Sequence, residues 1–210
     1  MKRKWGLIIG IAIIVIVALV FVAYNVYRYP ARFRDLSNNV LSDSQVAELK
    51  EEILSQPERN VLVAYFSYSG TTRNIASALS ERTGGDLFEI ATQDGYSNVY
   101  MDSNREIRQN ERPALTGTVE NMDMYDIVFV GYPVWWHATP APINTFLESY
   151  DLTGKLIIPF CTSGGSTIEE TLPTFLHSCD GLAVYGGQRI SGTGQLDGWL
   201  ESLGLSAVGK

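Results

Sequence analysis

The sequence predicts an α/β fold: a doubly wound sheet of five parallel strands with helices on both faces, preceded by one helix of membrane-spanning length. Three observations predict it. From Asn60 onward, short apolar runs alternate with stretches of helical periodicity, which is the pattern of a parallel sheet wrapped by helices. The first run, Val61 to Phe66, is apolar almost without a break, as a strand covered on both faces must be. Ahead of it, Trp5 to Tyr24 is a stretch of 20 residues without a charge.

Taken in order, that charge-free stretch comes first. A helix of 20 residues is about 30 Å long, the thickness of a bilayer's hydrocarbon core. Trp5 at one end and Tyr24, Tyr27 and Tyr29 at the other are placed as interfacial aromatics. A cleaved signal peptide is the alternative. Against it stand the length of the apolar run and Phe21, at a position where cleavage after Ala23 needs a small residue. No cysteine follows for lipid attachment. The expectation is an uncleaved single-pass anchor over residues 1–29. Lys2, Arg3 and Lys4 precede the span and Arg28, Arg32 and Arg34 follow it, so charge alone barely orients it. The free amino terminus tips the balance toward N-terminus inside, which places the domain outside the cytoplasm.

Residues 30–59 read as a linker with one short amphipathic helix, a spacer or a lid. Ser42 and Gln45 form a capping-box pattern, Val46, Leu49, Ile53 and Leu54 follow at helical spacing, and Pro57 ends the run. The domain proper is expected over residues 60–207. Its second strand is Asp86 to Ile90, after the turn at Gly84-Gly85. Ala91 to Asn121 is polar and irregular, with one helix expected around Asp102 to Glu111. The third strand is Tyr125 to Gly131, followed by a helix over Ala141 to Tyr150. The fourth strand is Lys155 to Phe160. A helix interrupted by Pro173 covers Ile168 to Leu176, the fifth strand is Leu182 to Tyr185, and Gln195 to Leu203 closes the chain as a helix.

In such a sheet, ligands bind beyond the carboxyl ends of the strands, and three of those ends are unusual here. After strand one, Ser67, Ser69, Thr71 and Thr72 crowd hydroxyls around Gly70, beside Tyr68, at the start of a helix. Free backbone N–H groups, the helix dipole and short hydroxyls converge there, which suits a phosphate; an ordinary helix cap is the simpler alternative. After strand three, Pro133, Val134, Trp135, Trp136 and His137 form a stiff, aromatic loop suited to covering something flat, although both indoles could equally cap the core. After strand four, Thr162, Ser163, Gly164 and Gly165 offer backbone donors without bulk, fit for the polar edge of a ring. One end for a phosphate, one aromatic wall and one polar edge together describe a site for FMN. His137 could reach a bound ligand or merely close its loop.

The runs Tyr-Phe-Ser-Tyr-Ser-Gly-Thr-Thr, Gly-Tyr-Pro-Val-Trp-Trp and Pro-Phe-Cys-Thr-Ser-Gly-Gly-Ser, in this order and spacing, resemble the bacterial flavodoxin-like family, and Arg112-Pro113 matches its pattern as well. The resemblance covers about residues 60 to 205. It implies strand order 2-1-3-4-5 and FMN as cofactor. It also implies phosphate contacts from Ser67, Ser69, Gly70, Thr71 and Thr72, a ring wall of Pro133 to Trp136, and a ring edge read by Thr162 to Gly165. Ser69 stands where many relatives have threonine. Function would then be electron transfer to a protein partner or a small acceptor, a quinone among them; a flavin-free binding module on the same fold is the alternative. Carriers of this family stabilise the one-electron form of the flavin through a peptide flip at a loop glycine. Residues 133–137 contain no glycine, so two-electron transfer is expected.

Other functions are disfavoured by what is missing. There is no G-x-x-x-x-G-K-[ST], no G-x-G-x-x-G and no G-x-S-x-G. Cys161 is not followed by the C-x₅-R of cysteine phosphatases, since Thr167 stands where arginine is required. Two cysteines and two histidines at scattered positions make neither a redox pair nor a zinc site. Residues 35–210 carry 10 bases against 23 acids, a formal charge of −13, which argues against nucleic acid as a partner and leaves a basic protein compatible.

Overall fold

The computed structural model describes residues 2–205, apart from the side chains of residues 2–4 and 7; the last two residues of the expected domain, 206–207, lie outside them. The chain opens with α1 (Lys2–Arg28), whose aliphatic side chains are exposed along its length. It is long and apolar enough to cross a membrane, a test that a signal sequence near the N-terminus also passes. Next comes α2 (Asp43–Ser55), entered as its sequence predicts, with the Ser42 N–H donating to Gln45 Oε1 at 3.1 Å. Val46 and Ile53 on its inner face are buried in one core cluster with strand and helix residues of the domain.

The domain itself runs β1 (Val61–Phe66), α3 (Thr71–Thr83), β2 (Asp86–Thr92), α4 (Val99–Gln109), β3 (Leu115–Thr116), β4 (Ile127–Pro133), α5 (Ala141–Glu148), β5 (Leu156–Thr162), α6 (Leu172–Leu176), β6 (Ala183–Val184), β7 (Gln188–Arg189) and α7 (Leu196–Leu203). The sheet order is β3-β2-β1-β4-β5-β6, with β7 also paired to β5. All pairs are parallel except the short edge pair of β2 with β3. Counting β6 and β7 as one interrupted strand, this is the 2-1-3-4-5 order. Every residue of β1 and of β5 is buried, because each face of the sheet carries its own apolar layer. Val63, Phe129 and Ile158 face α3 and α7 on one side; Leu62, Val128 and Ile157 face α5 on the other.

Several details differ from the sequence expectation. The helix placed around Asp102 to Glu111 starts earlier, at Val99, because Asn98 caps it by accepting from the Met101 N–H at 3.2 Å. Pro173 does not interrupt a helix; it lies in the first turn of α6, where its missing N–H costs nothing. Strands three and four run two residues further than expected, to Pro133 and Thr162. The fifth strand is split in two. Its halves pair with Leu156-Ile157 and with Phe160-Cys161, and the gap falls opposite Pro159, which has no N–H to give a neighbour.

Candidate functional site

Parallel register brings the three unusual strand ends side by side. Tyr65 of β1 is opposite Gly131 of β4, and Pro133 at the end of β4 is opposite Thr162 at the end of β5. Gly131 has to be glycine: a Cβ there would lie 2.1 Å from Cζ of Phe160, which is fully buried.

The first loop turns at Gly70, with φ of +89°, a value that L side chains rarely adopt. Its N–H donates to Ser67 Oγ at 3.1 Å, which folds the loop back on itself. The first helical bond of α3 runs from the Asn74 N–H to the Gly70 carbonyl at 3.0 Å. The N–H groups of Thr71, Thr72 and Arg73 precede it and have no protein acceptor among the described residues. Ser69 and Thr71 are exposed, their hydroxyls 3.3 Å apart. Thr72 is different: it is buried, and its hydroxyl bonds Thr162 Oγ1 at 2.9 Å, tying the first loop to the third. Arg73 is turned away to Glu89 and to the Tyr65 hydroxyl, so the donors at this loop are neutral.

In the second loop, Trp135 and Ala138 exchange backbone hydrogen bonds at 3.2 and 2.8 Å around Trp136 and His137, whose φ angles are +53° and +58°. Two positive φ angles in a two-residue hairpin are those of a type I′ turn, usually built from Asn-Gly. Here two bulky residues hold it. The loop therefore reaches left-handed backbone without a glycine. The two tryptophans part company. Trp135 packs edge-on against Phe66, Tyr68 and Tyr96, with ring centroids 5.1, 6.0 and 5.2 Å away. Trp136 donates its indole N–H to Ser103 Oγ of α4 at 2.9 Å and meets Tyr27 of α1 at 5.1 Å. Between them opens a cavity of about 280 Å³ lined by Tyr68, Val134, Tyr100 and Arg28 as well as by both indoles. His137 Nδ1 bonds the Glu170 carboxylate, and Tyr29 lies over the imidazole at 4.6 Å. The bond to His137 and the Thr167 N–H hold the Glu170 carboxyl below the usual carboxylate range.

The third loop is shaped by Ser163, whose Oγ accepts from the N–H groups of Gly165 and Ser166 at 3.2 and 2.9 Å. Its backbone therefore curls over the Ser163 side chain. Gly164 and Gly165 have open space on their Cβ sides. The Val134 N–H donates to the Thr162 carbonyl at 3.0 Å and fixes this loop against the second. Cys161, just before it, is buried, and burial pushes its thiol up to about 12; the Cys179 thiol is buried and pushed up in the same way. Neither is a nucleophile at neutral pH.

The flavodoxin family profile matches residues 60–203. The chain belongs to the flavodoxin family. It is similar to the crystal structure of a candidate flavoprotein of Bacteroides eggerthii (35% identity, TM-score 0.62), which covers 70% of this chain and 99% of that one. A second candidate flavoprotein, from Bacteroides uniformis, is 31% identical with TM-score 0.61 over 68% of this chain and 98% of that one. A flavoprotein of Lactobacillus acidophilus, solved in complex with FMN, is 26% identical with TM-score 0.57, over 68% and 99%. No curated protein matches the chain.

Within this flavodoxin-family domain, sequence reasoning found the three loops but missed several of their partners. Tyr96 completes the aromatic cluster around Trp135, and its hydroxyl donates to the buried Glu106 at 2.9 Å. Burial and the neighbouring Glu106 charge push that tyrosine far above its ordinary value. It sits in the irregular stretch after β2, where no periodicity marks it. Glu170 was equally invisible as the partner of His137. Tyr27 and Tyr29, read as interfacial aromatics, also pack on Trp136 and His137.

Proposed function

We propose that this chain is a membrane-tethered FMN protein that passes electrons from a reductase or a reduced cofactor to a small acceptor or a protein partner. The observation that carries the cofactor is the first loop. Three N–H groups at a helix start that lack an acceptor among the described residues lie in one short loop with the exposed Ser69 and Thr71 hydroxyls and no free cation, which suits one terminal phosphate. The residues present fit FMN in two further respects. Tyr68, Val134 and Trp135 line an aromatic cavity beside that loop, and Gly164 and Gly165, on the loop that the Thr72–Thr162 bond ties to the first, are exposed and carry no side chain to crowd a ring. When bound, FMN would supply one- or two-electron redox chemistry. The chain's own part is to hold the phosphate, to orient the ring between the second and third loops, and to keep water off it with Trp135. The apolar helix α1 supports the tether, and with three basic residues on each side of its apolar stretch only the free amino terminus favours an extracytoplasmic domain.

The test is direct. Purified full-length protein in detergent should show oxidised-flavin absorbance, with FMN as the released compound, and should bleach on reduction. A colourless protein that also fails to bind added FMN would mean a flavin-free module. Recovery of the intact chain in the soluble fraction after a high-salt wash would remove the tether, since an apolar anchor ignores salt.

A further inference from the structure

The end of α1 is fastened to the domain. The Tyr27 carbonyl accepts from Nδ2 of the buried Asn104 at 2.7 Å, and the Tyr27 ring meets Trp136 edge-on at 5.1 Å. Tyr29 lies on His137, Ala31 is buried against Ile107 and Ala138, and Arg34 Nη1 donates to the Ile107 carbonyl at 2.8 Å. The segment is therefore pinned to α4 and to the second loop at several points. Arg28 sits between the first two pins, so its backbone is placed by both neighbours.

That position is on the wall of the candidate flavin cavity. Arg28 lines the same space of about 280 Å³ as Tyr68, Val134, Trp135 and Trp136, and is the one charged residue among the described residues that do so. It is half-buried, and its guanidinium makes no ion pair or hydrogen bond among the described residues. Its described neighbour is the Tyr29 ring, 5.7 Å away. Arg73, Arg82, Arg105 and Arg112, by contrast, each hold a carboxylate. A guanidinium stays charged at any working pH and is weakly hydrated, so it tolerates an aromatic cavity and seeks an anion there.

The anion that FMN would bring to this cavity depends on its redox state. The oxidised ring is neutral, whereas the fully reduced ring carries a negative charge at neutral pH. The phosphate is charged alike in both forms, so it drops out of the comparison. A cation on the cavity wall thus discriminates between the two forms by charge alone.

We propose that Arg28, supplied by the leader helix, is part of the flavin site and holds the reduced ring more tightly than the oxidised one. The inference rests on the FMN reading above and deepens it, because it makes the leader a determinant of redox potential. Arg28 lies outside the residues that the family profile matches, so it is an addition to the family's domain and not a part of it.

The test uses full-length protein in detergent, stripped of FMN and titrated with oxidised FMN and, in dithionite, with reduced FMN. The midpoint potential of the loaded protein is measured against reference dyes. Arg28→Gln should weaken reduced FMN about tenfold more than oxidised FMN, which lowers the two-electron midpoint by about 30 mV. Arg28→Lys keeps the charge and should retain most of both. Arg32→Gln removes an equal charge from the same segment. Arg32 bonds Asn25 Oδ1 at 3.3 Å and lines a different cavity, beyond Trp136, so its potential should stay close to wild type. If Arg28→Gln weakened both redox forms by the same factor, Arg28 would serve the phosphate or the fold, and the proposal would fall. An equal shift in Arg32→Gln would reduce the effect to the general field of the segment, with the same consequence. Normal FMN binding with no change of potential in Arg28→Gln overturns this inference alone. Wild-type protein that binds FMN in neither redox state removes the cofactor reading and this inference with it.

Discussion

Removing the exposed hydroxyls of the first loop should cost FMN binding and spare riboflavin. Ser69 and Thr71 are both exposed, with hydroxyls 3.3 Å apart, and they flank the start of α3, whose first N–H groups have no protein acceptor among the described residues. A hydrogen bond to a charged group contributes about 1.5–3 kcal/mol, and the lower end applies where water competes. Two such bonds make about 3 kcal/mol, which is roughly a 150-fold rise in Kd. The variant Ser69→Ala/Thr71→Val should show that loss for FMN in a fluorescence titration, while riboflavin, lacking the phosphate, changes little. Thr72 provides the contrast. Its hydroxyl is buried on Thr162 Oγ1 at 2.9 Å, so Thr72→Val strands the Thr162 hydroxyl and should cost about 1–3 kcal/mol of stability. Its effect on the two flavins should be equal. If Ser69→Ala/Thr71→Val weakened FMN and riboflavin by the same factor, the loop would not be holding the phosphate and the reasoning would fail.

Three further outcomes follow from single contacts. Gly131→Ala drives a Cβ into the buried Phe160 ring and should lower stability by about 1–3 kcal/mol, read as a shifted midpoint in urea unfolding. At Glu148, burial pushes the carboxyl up, but hydrogen bonds from Arg112 and Ser178 and the Arg112 charge outweigh it and leave it below its ordinary value. Its stabilisation is therefore present above the unfolded carboxylate range, near about pH 4.3, and is lost as pH falls through the folded value. The Tm gap between wild type and Glu148→Gln should accordingly be full at neutral pH and close in acid; a gap that widened in acid would contradict the sign. Stepwise reduction of the FMN-loaded protein should pass from oxidised to fully reduced with no persistent one-electron band, because the second loop already holds its left-handed turn with Trp136 and His137 and has no glycine left to flip. A strong, lasting one-electron spectrum would assign the protein to the carriers.

What could be read from the sequence was what is local. β1, β4 and β5 are buried on both faces, so their apolar runs stand out, and the loops that follow them are conspicuous by composition. The capping box before α2 is four residues long and was equally readable. What escaped depends on pairing across the fold. The two-residue β3 is too short for any period, and exists only because β2 offers it an edge. The break between β6 and β7 had its cause in Pro159, more than twenty residues upstream, where a missing N–H matters only once the neighbour is known. Tyr96 and Glu170 joined the site through contacts of the same kind, with Trp135 and with His137.

The most consequential of these pairings joins the two ends of the problem. Composition divides the chain into a basic, apolar leader and an acidic domain, and invites treating the leader as a tether of no further interest. Yet Tyr27, Tyr29 and Ala31 pack on Trp136, His137 and Ala138, the very turn that walls the candidate flavin site. A flexible tether would need none of these contacts. Two adjacent bulky residues at positive φ are costly, at about 1–2 kcal/mol each, and such strain persists only where surrounding structure enforces it. Here the enforcing groups are Ser103 and Tyr27 on the indole and Glu170 and Tyr29 on the imidazole. Two of those four come from the leader. The shape of the wall loop is thus partly set by the segment that leaves α1, and a domain cut away before residue 35 would lose that support along with α1.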